Sequence, residues 1–183
     1  MIKYLQAKKE HTRKISQMIV ETSFEYYEYL FSEMDLDICD FVYQEFLENS
    51  FTDDIDVGMH LDKIVSMVFS YDSKYHIIDQ HMRDSFSGKI LDGLKESYEN
   101  VINDTLFLDS IFVSEDYRKK GIAKELLLMT FDKAKKNGFK GVSLFTLTKN
   151  ENAVNLYKSF GFKIENTFRL IPSEKAYLFY KPI

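Results

Sequence analysis

Three consecutive cations, Arg118, Lys119 and Lys120, stand just before Gly121, Ile122 and Ala123, where a helical pattern begins. Positive charge is unfavourable at that place, because a helix N-terminus already carries about half a positive charge and unpaired N–H groups. An anion filling the turn would account for the cluster. Gly121 and Ala123 lack bulk, so the backbone N–H groups of 118–123 can approach a phosphate or pyrophosphate closely. The plain alternative is a solvated basic turn. Neither G-x-x-x-x-G-K-[ST] nor G-x-G-x-x-G occurs, so the segment is neither a P-loop nor a dinucleotide fingerprint. A second segment, TKNENAVNLYKSFGF, offers Asn150 as a helix N-cap ahead of Ala153, Leu156, Tyr157 and Phe160 on one face. Taken alone, Tyr157 reads as an ordinary core tyrosine.

These segments need elements to hold them. Residues 2–7 read as a strand, and helical spacing over 8–30 puts Ile15, Met18, Ile19, Thr22, Tyr26 and Tyr29 or Leu30 on one face. A helix over 37–49 carries Ile38, Phe41, Val42 and Phe46 on one side. Residues 56–71 read as a hairpin turning at Asp62-Lys63. A four-step apolar stripe, Ile78, Met82, Phe86, Ile90, Leu94, Tyr98 and Ile102, predicts helix over 78–102, with a break at Gly88 or Gly93. The apolar run 105–113 is a strand, 122–136 a helix ended by Asn137-Gly138, 141–147 a strand, and 150–160 a short helix ended by Gly161. Strands over 162–168 and 176–181 close the chain. Strands alternating with helices predict an α/β fold, a mixed sheet covered by helices.

In combination, a strand, R-x-x-G-x-A, a helix, a strand and N-x-x-A-x-x-L-Y-x-x-x-G-F resemble the GNAT superfamily of acyl-CoA-dependent N-acyltransferases. The residues that carry the resemblance are Arg118, Gly121, Ala123, Asn150, Ala153, Leu156, Tyr157, Gly161 and Phe162, within 105–163. Two departures stand out: Ala123 where many members have glycine, and the long stretch between the hairpin and strand 105–113. The resemblance implies a GNAT-like fold in one domain over 1–183, a central mixed sheet flanked by helices with a helical insertion before the fourth strand. It implies acetyl-CoA as co-substrate, no metal, and an amine acceptor. Pyrophosphate would lie on the N–H groups of Arg118, Lys119, Lys120, Gly121, Ile122 and Ala123. Pantetheine would run along Ile111, Phe112 and Val113, with Asn150 holding the arm. Tyr157 would also line the cofactor site and act as general acid to the departing thiolate. Asp109 shares a strand face with Phe107, Ile111 and Val113, and is the candidate base, directly or through water. Its alternative roles are to bind a substrate ammonium or to cap a loop. The rival on the same fold is a catalytically silent CoA-binding sensor or interaction module, and the presence of both Tyr157 and Asp109 favours the enzyme. A nucleotide-binding protein is the third reading, and no Mg²⁺-binding motif supports it.

Composition sets the outer bounds. The chain has 183 residues, 45% of them hydrophobic and 29% charged, which suits one globular domain and excludes a disordered tail or a collagen. The balance of 24 basic against 29 acidic residues gives a net charge of −5, unlike a nucleic-acid binder and suited to a cationic acceptor. The single cysteine, Cys39, permits no internal disulfide and reads as an inert thiol. No apolar stretch is long enough for a membrane span or signal peptide, so a cytoplasmic protein, monomer or homodimer, is expected. His11, His60, His76 and His81 show no metal-ligand spacing. Glu25 and Glu28, in the aromatic FEYYEYLF run, are a further place for a cationic acceptor.

Overall fold

The structure is a computed structural model that describes residues 1–32, 34, 37–49, 51–77, 86 and 88–183. Seven strands form a mixed sheet in the order β1-β2-β3-β4-β5-β7-β6, flanked by helices, as the sequence predicts. The chain divides into two compact units, Met1–Ser70 with Asp109–Thr130, and Tyr71–Leu108 with Phe131–Ile183.

In the first unit, β1 (Lys3–Gln6) pairs antiparallel with β2 (Ile55–His60), which turns into β3 (Lys63–Asp72). Where one helix over 8–30 is expected, a 3₁₀ turn, α1 (Thr12–Thr22) and α2 (Phe24–Leu30) follow one another. The interruption falls at Ser23, just after the Thr22 hydroxyl donates back to the Met18 carbonyl at 2.7 Å. Ser23 itself leaves the helical region, at φ −127° and ψ 35°, and α2 starts from there. Ile15, Met18, Ile19 and Val20 of α1 are buried. Helix α3 (Ile38–Asn49) packs on α1, with Arg13 paired to Asp40 and 4.9 Å above the Tyr43 ring. The hairpin turns at Leu61-Asp62, one residue earlier than expected. Both have positive φ, 47° and 60°, the geometry of a two-residue turn whose twist matches the strands.

In the second unit, β4 (Thr105–Val113) runs parallel to β5 (Gly141–Leu147), with Thr105–Leu108 beside Gly141–Leu144. β7 (Glu174–Pro182) lies antiparallel between β5 and β6 (Lys163–Ile171). Both closing strands are longer than expected. β6 is an edge, exposed along 163–167, so burial leaves little alternation there to read. Its register against β7 shifts twice, between Ile164 and Asn166 and between Arg169 and Ile171. Helix α4 (Gly88–Glu99) packs on β6, burying Ile90 and Leu94. Gly88 is its first residue and Gly93 lies within it. Phe86 is buried too, and Ile102 packs on the cluster Phe168, Ala176, Leu178. Ile78, His81 and Met82, and the side chain of Phe46, lie outside the described residues. Helix α5 (Ile122–Lys136) follows β4, and α6 (Glu151–Ser159) follows β5.

Candidate functional site

β4 ends at Val113, and its last residues alternate. Ser110 and Phe112 are buried, while Asp109, Ile111 and Val113 are half-buried on the other face. The Asp109 carboxylate accepts a hydrogen bond of 2.7 Å from the Ser110 hydroxyl. Beyond the strand, the Ser114 N–H donates to the Val65 carbonyl at 2.8 Å, and a 3₁₀ turn over Glu115–Tyr117 leads into the basic segment.

Arg118, Lys119, Lys120 and Gly121 are all exposed. Arg118 is extended, Lys119 has φ 60° and Gly121 φ 84°. Left-handed residues in such close succession curl the backbone tightly ahead of α5. Nothing lies within 4 Å of where a Cβ on Gly121 would sit, so a ligand can approach there against bare backbone. Lys124 and Glu125 donate their N–H groups to the Gly121 carbonyl at 2.9 and 3.1 Å, which closes the first turn of α5. That turn leaves the earlier N–H groups without partners inside the helix. Two of the cations brace the loop: Arg118 Nε donates to the Val113 carbonyl at 3.0 Å, and Lys120 Nζ to the Asp116 carbonyl at 2.8 Å. On the same helix turn, the Tyr4 hydroxyl donates to the Glu125 carboxylate, tying β1 to α5. Burial first, and Glu125 second, push the Tyr4 phenol above its usual range.

In the second unit, Asn150 caps α6 as the sequence predicts, its Oδ1 accepting from the Ala153 N–H at 3.2 Å. Asn150 is exposed, and the cap engages only its carboxamide oxygen. Tyr157 is 5% exposed, its ring 5.6 Å from Phe162 and 5.8 Å from Phe179. Burial pushes its phenol well above the ordinary value, so the hydroxyl keeps its proton at neutral pH. The tyrosine is therefore a packed core residue and a fully protonated acid at once.

Sequence reasoning missed two clusters. His60 Nδ1 and the Tyr117 hydroxyl share a hydrogen bond of 2.7 Å, and Lys120 Nζ lies 5.2 Å from the Tyr117 ring centre. His60 and Tyr117 come from distant parts of the chain, and no local pattern joins them. In the second unit, the His76 ring stacks on Tyr98 at 4.5 Å and packs on Phe107 at 4.4 Å. Its Nδ1 bonds the Tyr71 hydroxyl at 2.9 Å, while Nε2 is shielded and without a partner among the described residues. Desolvation pushes this imidazole down to about 4. Cys39 is half-buried, and burial, then Asp37 and Asp40, raise its thiol above the usual range, as suits an inert cysteine. Glu25 and Glu28 are exposed on α2.

The profile of a family described as Acetyltransferase (GNAT) family matches residues 21–162. Over 60 residues the chain is 38% identical to a probable N-acetyltransferase 14 of Xenopus tropicalis; the match takes in 33% of this chain and only 29% of that protein's length. The fold superposes on an N-acetyltransferase from Staphylococcus aureus Mu50 with a TM-score of 0.73 and 19% identity, over 99% of this chain and 100% of the other. A PaiA N-acetyltransferase from Thermoplasma acidophilum, in complex with coenzyme A, gives a TM-score of 0.62 at 13% identity, over 100% and 99% of the two chains. At these identities the structural likenesses are likenesses of fold.

Proposed function

The chain belongs to the GNAT family of acetyltransferases, and on that premise we propose that it transfers an acetyl group from acetyl-CoA to a primary amine of a small molecule or peptide, as one domain over 1–183. The observation that carries this reading is the loop before α5: an exposed cationic turn, left-handed at Lys119 and Gly121, with open space over Gly121. Its shape and charge suit a pyrophosphate.

Acetyl-CoA would supply the activated thioester. The N–H groups of residues 118–123 bind its pyrophosphate, and backbone along Ile111, Phe112 and Val113 holds the pantetheine. Asn150 steadies that arm with the part of its carboxamide the helix cap does not use. Neutral amine attacks the thioester carbonyl carbon; the C–N bond forms and the C–S bond breaks. A backbone N–H near Ile111–Val113 polarises the carbonyl oxygen as charge develops. The Tyr157 proton passes to the leaving sulfur. The amine proton goes to Asp109 or to water. A cationic acceptor suits the net charge of −5 and the exposed Glu25 and Glu28. Among the described residues no helix is long and apolar enough to cross a membrane. We place the protein in the cytoplasm, in keeping with its single cysteine.

Two measurements test the reading. Acetyl-CoA binds only the folded chain, so at about 100 times its dissociation constant it should stabilise by about 2.7 kcal/mol, seen as a raised melting temperature. A panel of amines and peptides should then give acceptor-dependent thiol release. No melting shift at millimolar acetyl-CoA would remove the cofactor assignment. Binding without thiol release from any acceptor would favour the catalytically silent sensor.

A further inference from the structure

Lys119 and Gly121 are left-handed within three residues, at φ 60° and 84°. For Lys119 that conformation costs roughly 1 kcal/mol, so the surroundings must hold it. Backbone bonds order the turn itself: Tyr117 N–H donates to the Ser114 carbonyl at 2.8 Å, and Arg118 N–H to Glu115 at 3.0 Å. The side-chain tether from the turn to the β2–β3 hairpin is Tyr117. Its hydroxyl meets His60 Nδ1 at 2.7 Å, and the two rings stand edge to face, 5.5 Å apart at 69°. On the loop side, Tyr117 offers its ring to Lys120, whose ammonium lies 5.2 Å from the ring centre and is bonded to the Asp116 carbonyl. The chain of contacts therefore runs from the last residue of β2, through Tyr117, to the third cation of the basic loop.

We infer that His60 is a positioning residue for the cofactor: by holding Tyr117, and through its ring Lys120, it keeps the loop before α5 in its anion-binding shape ahead of binding. The inference rests on the acetyl-CoA assignment above. A loop already in its binding conformation loses little freedom when the ligand arrives, and that saving appears as affinity. A loop that is competent only part of the time binds more weakly in proportion. His60 touches neither cofactor nor acceptor in this scheme. Its removal changes affinity and leaves the reacting groups, Tyr157 and Asp109, as they were.

The test uses Tyr117→Phe, which keeps the ring over Lys120 and removes only the hydroxyl, with His60→Ala, His60→Asn and the double variant Tyr117→Phe/His60→Ala. Acetyl-CoA binding is measured by calorimetry on each folded full-length variant, and KM and kcat with an acceptor from the panel above. Tyr117→Phe and His60→Ala should each bind acetyl-CoA about 3- to 10-fold more weakly, the worth of one net hydrogen bond. KM for acetyl-CoA should rise in step while kcat at saturation holds. The double variant should be no worse than the poorer single one, because both remove the same bond. His60→Asn, which keeps a polar atom near the Nδ1 position, should recover most of the affinity. Unchanged affinity in both single variants overturns the inference, as does a fall in kcat at constant KM. Failure of the wild-type chain to bind acetyl-CoA is a separate result, which removes the family-based cofactor assignment and this inference with it.

Discussion

Tyr157 loses nearly all its water on folding and packs against the rings of Phe162 and Phe179, so its proton is tightly held and its phenolate is costly. Such a phenol is a weaker acid than a free tyrosine, so its proton can pass to the departing thiolate only as negative charge grows on the sulfur and the C–S bond breaks. Tyr157→Phe preserves the ring packing on Phe162 and Phe179. Turnover should drop by roughly 10²- to 10⁴-fold with little change in acetyl-CoA affinity; unchanged turnover, with chemistry limiting the rate, would leave Tyr157 a packing residue alone. His76 carries a stability prediction. Folded, it stays neutral until about pH 4, against an ordinary 6.5. Between those values the unfolded chain takes up a proton that the folded chain refuses, so stability is full above 6.5 and is lost as pH falls towards 4. The loss should be on the order of 3 kcal/mol. Urea unfolding of wild type and His76→Phe at about pH 7 and about pH 4.5 checks it: the phenylalanine variant should show a smaller drop. Equal drops would mean that other groups set the acid limb. Neither property could be read from the chain alone. Tyr157 was visible as a motif position, but its depth depends on Phe179 from a later strand. The His76 box depends on α4 and two strands meeting.

At the scale of elements, periodicity marks β4, α5, β5 and α6 to within a residue, because each has a buried face and the two helices end at glycines with positive φ. Asn150, Gly138 and Gly161 do what their types predict. The hairpin turns one residue earlier than the sequence predicts because Leu61 is a poor choice for such a turn. A leucine at φ 47° violates the preference for asparagine or glycine in such turns, so the local signal pointed to Asp62-Lys63. Leu61 is 81% exposed and has little packing to lose. Leu61→Asn should therefore stabilise the chain by about 1 kcal/mol, read as a higher urea midpoint at unchanged slope. A lower midpoint would show that Leu61 makes contacts worth more than the strain it carries. The first helix differs from its expected single span for another reason. Its apolar stripe continues through Ser23, and the break there is a backbone departure at one residue, φ −127° and ψ 35°, which hydrophobic spacing does not register.

Across the whole molecule, the family motif made the cationic loop and α6 legible together, though nothing in the spacing gives the order of strands. β7 sits between β5 and β6, an arrangement set by which edges meet rather than by any local pattern. The acidic balance of the chain and its basic turn are equally plain in the sequence, and they suit a cofactor and an acceptor of opposite charge. The two shifts along β6 have a further consequence. An outermost strand presents unpaired backbone to any other strand in solution, and irregularity is one way to make it a poor template. With Ile164 opposite Phe179 and Asn166 opposite Leu178, Glu165 is the extra residue that kinks this edge, and it adds a charge beside Lys163. Deleting Glu165 would straighten the ladder while leaving the pairs on either side intact. The deletion variant should scatter light and bind thioflavin on gentle warming under conditions in which the wild-type solution stays clear. If both stay clear, the kink guards nothing; if the variant clouds, one glutamate on the outermost strand decides whether the protein remains in solution.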